Sequence, residues 1–251
     1  LLMIFSFAGL SSADWNILNQ RKSKSGLRIT LKNYCEAWRL NVELHNVRDF
    51  DVVPEECVDY VWKYVTSSQY KADSERTVEE IRVYLSTGVS LKKDGTDAWI
   101  FDVDDTLLST LPFYKRNGFG GVKVNLTTID DWKLEAKAPA LEYSLGLFNH
   151  LKDLGIQTFL VSSRSECLRA ATADNLVDVG YHGWSGLILR GGSSEYEGNN
   201  GIQRYKAEVR KGLIDGGYRI WGILGDQWSS IEGPPYPKRS FKLPNPIYYV
   251  A

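Results

Sequence analysis

Residues 98–106 read Ala98-Trp99-Ile100-Phe101-Asp102-Val103-Asp104-Asp105-Thr106, and the fold follows from how that stretch is read. Trp99, Ile100 and Phe101 form a bulky apolar run suited to a strand buried on both faces. The acids come directly at its end. Residues two apart on a strand share a face, so Asp102 and Asp104 stand side by side, their Cα atoms roughly 6 to 7 Å apart. One carboxylate at that spacing can attack a phosphorus atom while the other reaches the leaving oxygen. Taken alone, the acids fit a strand-to-loop turn equally well, because Asp favours turns and caps. The rest of the chain has to decide.

Beyond the acidic strand the pattern alternates. Residues 107–137 read as irregular and aromatic, with Phe113, Tyr114, Phe119 and Trp132. A helix is predicted from Pro139 to Leu154, closed by Gly155, then a strand over Gln157 to Val161. A helix over Arg164 to Val179, a short strand over Gly186 to Leu189 and a helix over Tyr205 to Ile214 follow. Arg219 to Leu224 is the next predicted strand and Ile247 to Val250 the last, with 191–200 and the Pro-rich 233–246 as connectors. Such alternation predicts an α/β fold, a parallel sheet flanked by helices on both faces. Functional sites in these sheets lie at the carboxyl ends of the strands.

At those ends the sequence delivers Asp102 and Asp104, then Ser162, Ser163 and Arg164, then Asp226, with Lys206 early in its helix. Singly, each has an ordinary reading as surface lysine, turn serine or capping aspartate. Together they match what phosphoryl transfer needs. Cations and donors, here Lys206 and Ser162, serve the equatorial oxygens. An Asp nucleophile splits the displacement into two steps. Clustered aspartates call for a hard cation, and oxygen ligands of this kind suit Mg2+.

These motifs resemble the four motifs of the haloacid dehalogenase (HAD) superfamily. The strings Val53-Pro54-Glu55-Glu56-Cys57, Leu111-Pro112-Phe113-Tyr114, Gly225-Asp226-Gln227-Trp228-Ser229-Ser230 and Phe241-Lys242-Leu243-Pro244-Asn245-Pro246 are similar to plant class B acid phosphatases, the group that includes vegetative storage proteins. The resemblance implies a HAD-like Rossmannoid core over 96–251, with a small cap insertion after the first strand, about 107–137. It implies Asp102 as nucleophile and metal ligand, and Asp104 as proton donor and acceptor that also binds Mg2+ through its backbone carbonyl. Ser162 and Lys206 would hold the phosphoryl group, and Asp226 would be the second side-chain ligand. It also implies small phosphomonoester substrates and, as in many relatives, a homodimer. Two departures bear on this. Ser230 stands where many superfamily members carry another acid, which leaves the metal shell leaning more on water. Asp102 is retained, whereas some storage members lack it, so a working enzyme is the leading expectation and a storage glycoprotein with residual phosphatase activity the alternative.

The chain has 251 residues, 30 Lys plus Arg against 31 Asp plus Glu, and a net charge of -1. Nothing there suggests a nucleic-acid partner, which a basic stripe would mark. Residues 1–13 begin with Leu and run apolar, then small, to Ala13, the pattern of a signal peptide's end. Extracellular or vacuolar delivery is therefore expected, with no membrane association once the signal is removed. Secretion permits disulfides. Of Cys35, Cys57 and Cys167, the first two are the expected pair, with Cys167 a buried thiol on a helix. Asn125-Leu126-Thr127 is the glycosylation sequon.

Residues 14–95 read as an N-terminal helical extension. Pro54 begins one helix, and Thr77 with Glu80 caps another from Ser74 to Val83, stopped by Gly88. The three histidines are too few for a histidine-based two-metal site, none lies between Arg and Gly, and no Cys has Arg six positions on. One further expectation concerns charge. Asp104, beside Asp102 and Asp226, should titrate above the ordinary carboxylate range, and an acidic optimum follows if it must start protonated.

Overall fold

The structure is a computed structural model that describes residues 21–22, 28–192, 196 and 200–250. The expected signal segment 1–13 lies outside the described residues, as does part of the 191–200 connector.

Two short strands, β1 (Arg21–Lys22) and β2 (Arg28–Ile29), pair antiparallel ahead of three helices: α1 (Leu31–Glu43), α2 (Val58–Val65) and α3 (Ser68–Thr87). Strand β3 (Asp97–Phe101) follows, then α4 (Leu111–Arg116), α5 (Leu126–Leu134) and α6 (Glu142–Asp153). The remainder alternates: β4 (Gln157–Ser165), α7 (Arg169–Asp178), β5 (Gly186–Arg190), α8 (Gly201–Asp215), β6 (Arg219–Gly225), α9 (Trp228–Ile231) and β7 (Arg239–Lys242). The main sheet has the order β5-β4-β3-β6-β7, every pair parallel.

The acidic strand is central, as its composition requires. All five residues of β3 are buried. Trp99 and Phe101 pack on one face with Leu147, Phe148 and Leu151 of α6. Ala98 and Ile100 pack on the other with Tyr205 of α8 and Ile231 of α9. The period of two thus splits one strand between two cores. Trp99 reaches across to β6, where a Cβ at Gly222 would lie 2.2 Å from its ring. Only glycine fits there.

The N-terminal helices share the Trp99 core through Val61 and Ile81. Cys35 and Cys57 form the disulfide that joins α1 to the turn before α2, with a sequence separation of 22. Closing a loop of that length contributes about 3 kcal/mol. The Tyr84 hydroxyl of α3 donates to the Trp221 carbonyl at 3.0 Å, pinning the extension to β6.

At the base of β3, the buried Asp97 carboxylate accepts from the backbone N–H groups of Lys92 (2.8 Å) and Lys93 (3.2 Å), from Trp221 Nε1 (2.8 Å) and from Arg219 Nε (3.0 Å). Burial opposes its ionisation, but these donors outweigh it and hold its pKa below the usual range. A depressed carboxyl stabilises the fold above its unfolded pKa of about 3.9 and loses that contribution as pH falls through the folded value. Urea titrations from pH 7 to pH 2 are therefore expected to show the wild type losing an advantage over Asp97→Asn below about pH 4. An advantage independent of pH would assign the effect to geometry instead.

Several sequence expectations need correction. Ile247–Val250 is not a strand, and the last strand, β7, lies inside the presumed connector. The β-prone Ile-Tyr-Tyr-Val run is held by side chains, Ile247 N–H donating to Asn245 Oδ1 and Val250 N–H to Gln227 Oε1. The segment 107–137 is not irregular, since it folds α4 and α5, the latter capped by Asn125 Oδ1 accepting from Thr127 N–H at 2.8 Å. α3 begins six residues earlier than Ser74, capped by Ser67, while Thr77 sits mid-helix and donates back to the Asp73 carbonyl. α1 carried no signal that identified it. Cys167 is exposed on a single turn, Glu166–Leu168, rather than buried on a helix. Finally, β4 runs on to Ser165, so Arg164 belongs to a strand and not to the next helix.

Candidate active site

The carboxyl ends of the central strands open into one cavity of about 420 Å³. Asp102, Asp104, Lys206 and Asp226 all line it, together with Ser163 and Arg164. Ser162 itself is fully buried, and its Oγ accepts from the Arg164 N–H at 3.2 Å.

Asp102 continues the β3 ladder, donating its N–H to the Leu224 carbonyl at 3.0 Å. Its Oδ1 accepts from Val103 N–H at 2.7 Å. Its Oδ2 accepts from Lys206 Nζ and from Ser230 Oγ, both at 2.6 Å, while Lys206 also donates to Ser230 Oγ at 2.9 Å. Lys206 and Ser230 are both buried, so this pair is shielded from solvent. The close approach of Ser230 rests on Gly225, where a Cβ would lie 2.7 Å from the Ser230 Cβ. One turn beyond Lys206 on α8, the buried Arg210 guanidinium collects the carbonyls of Ser230 (3.1 Å), Gly233 (2.6 Å) and Pro235 (3.1 Å), with Glu232 also in contact. Lys206 thus holds the Ser230 side chain and Arg210 its backbone.

Asp104 meets a different environment from the one expected. The β4 ladder slips between Ser162 and Ser165, leaving Ser163 and Arg164 unpaired with β5. A bulge of this kind re-aims side chains. Arg164, its side chain fully buried, grips Asp104 from Nη2 at 2.7 Å and from Nε at 3.1 Å. Lys133 of α5 stands 4.0 Å from the same carboxylate and 3.4 Å from Asp130. Burial alone would raise the Asp104 pKa, but the two cations outweigh it and hold it down to about 2. The expected upward shift is therefore overturned. The neighbouring acids matter less than an arginine that strand alternation does not reveal.

Asp226 lines the cavity, and Asp105, which does not, is joined to it through Tyr248. Asp105, with φ at 46°, accepts from Thr110 N–H (2.8 Å) and from Tyr248 OH (2.8 Å). Asp226 accepts from Asn245 Nδ2 (2.7 Å), Gln227 Nε2 (3.0 Å) and Thr106 Oγ1 (3.3 Å), with Tyr248 OH at 3.2 Å. Tyr248 has one proton and two carboxylates to serve. Burial, then the charges of Asp102 and Asp105, raise the Asp226 pKa above the ordinary carboxylate range, and burial does the same for Asp105. Among the described residues, neither forms an ion pair with Lys or Arg. Buried, under-compensated oxygen anions fit a hard divalent cation better than any soft metal. Among the described residues, no group of three or more His, Cys, Asp or Glu side chains is gathered as a metal cage. A set of two carboxylates and a backbone carbonyl needs none.

Sequence reading missed Ser230 as a contact of Asp102, and missed Lys133, Tyr248 and Asn245. Of these, only Asn245 carries a local signal, fixed between Pro244 and Pro246. Of the aromatic residues in 107–137, Tyr114 lines the cavity and stacks on Tyr248 at 5.2 Å. Phe113 and Trp132 pack against each other in the core at 5.7 Å.

A family model described as HAD superfamily, subfamily IIIB (acid phosphatase) matches residues 20–251. Acid phosphatase 1 of Solanum lycopersicum is 43% identical over 224 residues, covering 89% of this chain and 86% of that protein. Vegetative storage protein 2 of Arabidopsis thaliana is 41% identical over 229 residues, covering 90% and 84%. Among solved structures, a class C acid phosphatase from Bacillus anthracis superposes with a TM-score of 0.63 at 20% identity, covering 78% of this chain and 86% of that one. That last likeness speaks for the fold alone.

Proposed function

The chain belongs to the acid phosphatases of HAD subfamily IIIB, and from that membership we propose that it hydrolyses small phosphate monoesters through a covalent intermediate on Asp102. The observation that carries the proposal is the opposition of Lys206 and Ser230 to Asp102 Oδ2 at 2.6 Å, with Asp104 and Asp226 in the same cavity.

In the first step, an Asp102 oxygen forms a bond to phosphorus as the bond to the leaving alcohol breaks, and Asp104 gives that alcohol its proton. In the second, Asp104 takes a proton from water as the water oxygen bonds to phosphorus, releasing phosphate and restoring Asp102. Lys206 would trade its contact with Asp102 for a phosphoryl oxygen, and Ser162, whose Oγ accepts from the Arg164 N–H, would turn its hydroxyl proton to another. Arg164 is a positioning residue that fixes the Asp104 carboxylate. Asp102, Asp226 and the Asp104 carbonyl would hold Mg2+, which neutralises phosphoryl charge when bound. Helices α4 and α5, within 107–137, would act as the cap over the leaving group.

The cation assignment has a direct test. Mg2+ binding relieves the repulsion between Asp102 and Asp226, so it is expected to raise the melting temperature of chelator-treated protein and to restore its activity. In Asp226→Asn both responses are expected to need at least about tenfold more Mg2+. Equal Mg2+ response in the two proteins would remove Asp226 from the metal shell.

The Cys35–Cys57 disulfide and the exposed Asn125 support passage through the secretory pathway, with glycosylation at Asn125. Among the described residues, no helix is long and apolar enough to cross a membrane. A storage role is the second reading, supported by the likeness to vegetative storage proteins. Specific activity weighed against tissue abundance separates the two.

A further inference from the structure

Five basic side chains line the cavity, and four already face a carboxylate. Lys206 faces Asp102, Arg164 faces Asp104, Lys133 lies between Asp104 and Asp130, and Lys123 pairs with Asp51 at 2.8 Å. The fifth is Arg190, the last residue of β5. It is half-buried, and its Nε donates to the Ser163 carbonyl at 3.3 Å. Among the described residues, no carboxylate forms an ion pair with it.

The place of Arg190 in the sheet gives that guanidinium a meaning. β5 is two strands from β3, so at about 4.8 Å per strand its end stands roughly 10 Å from the backbone of Asp102. Arg190 lines the same cavity as Asp102, Asp104 and Lys206, within the span of a small alcohol bound to a phosphoryl group on Asp102. With Nε anchored on Ser163, the two Nη groups of Arg190 have no hydrogen-bond acceptor among the described residues. A guanidinium presents them as a fork that matches a carboxylate or phosphate.

Resting on the phosphatase reading above, we propose that Arg190 selects the leaving group, and that the preferred substrates are phosphomonoesters whose alcohol carries a second anionic group. A carboxylate and a second phosphate share that chemistry. With either substrate, the first step moves the phosphoryl group to Asp102 while the departing alcohol keeps its second anion on Arg190, and water then releases the phosphoryl group as phosphate.

The test uses matched pairs: 3-phosphoglycerate against glycerol 3-phosphate for a carboxylate, and 1,3-propanediol bisphosphate against propyl phosphate for a phosphate. The wild type is expected to favour the doubly anionic member of at least one pair by roughly tenfold or more in kcat/KM, the range of one charge-assisted hydrogen-bonded contact. Which pair responds identifies the source. In Arg190→Gln that ratio is expected to fall toward one, and in Arg190→Lys to fall partway. Equal losses on both members of each pair, or a ratio that does not move, would overturn the proposal. The same ligands titrated calorimetrically into Asp102→Asn, with and without Arg190→Gln, report the affinity ratio with no turnover. A wild type that hydrolyses none of the four would sink the phosphatase reading, while the calorimetric ratio still decides the role of Arg190.

Discussion

Asp102→Asn is expected to lose roughly a thousandfold or more in kcat on p-nitrophenyl phosphate, the scale seen when a covalent nucleophile is removed. The variant keeps the size of the side chain and its Oδ1 contact with Val103 N–H. It removes the charge that Lys206 and Ser230 face at 2.6 Å. Taking one partner from a buried ion pair leaves the other uncompensated, so some stability is lost as well. Losing one of the two carboxylates that crowd Asp226 works the other way. Circular dichroism and a urea titration separate a folded, inactive protein from an unfolded one. A folded variant retaining more than a few percent of activity would take Asp102 out of the nucleophile's role.

Asp104→Asn is expected to separate the two chemical steps. The p-nitrophenolate ion leaves without a proton, so the first step survives on that substrate. The second step needs a base to activate water, a contribution of about 10² to 10⁴ in rate. A burst of roughly one p-nitrophenol per active site followed by slow turnover is the expected trace. Alkyl phosphates, whose alkoxides need the proton, should lose the first step too. In the wild type Asp104 is held down to about 2 by Arg164 and Lys133, so it meets substrate as a carboxylate. The proton it hands on can arrive with the monoester itself, whose second ionisation lies near 6. An acidic optimum then follows from the substrate's own titration.

How the chain folds was legible where side chains obey a simple period. The Trp99–Phe101 run named the central strand, and Gly155 after α6 marked a helix end. Asp102, Asp104, Lys206 and Asp226 could be placed together because parallel strands bring their carboxyl ends to one rim. The misses have equally physical causes. Arg164 acts through a bulge in β4, and a one-residue change of register reverses which face a side chain meets. β7 has one inward apolar residue, Phe241, among Arg239, Ser240 and Lys242, too little to show a period. Tyr248 and Ser230 reach the site through tertiary packing, more than a hundred positions from Asp105 and Asp102.

The most direct measurement is rapid acid quench of Asp104→Asn during turnover of p-nitrophenyl phosphate with Mg2+, followed by peptide mass spectrometry. One phosphoryl group on the peptide containing Asp102, absent when Asp102 is also changed to Asn, is the predicted result. Full burst kinetics with no phosphorylated peptide, or the phosphoryl group on a serine of β4 instead, would contradict it.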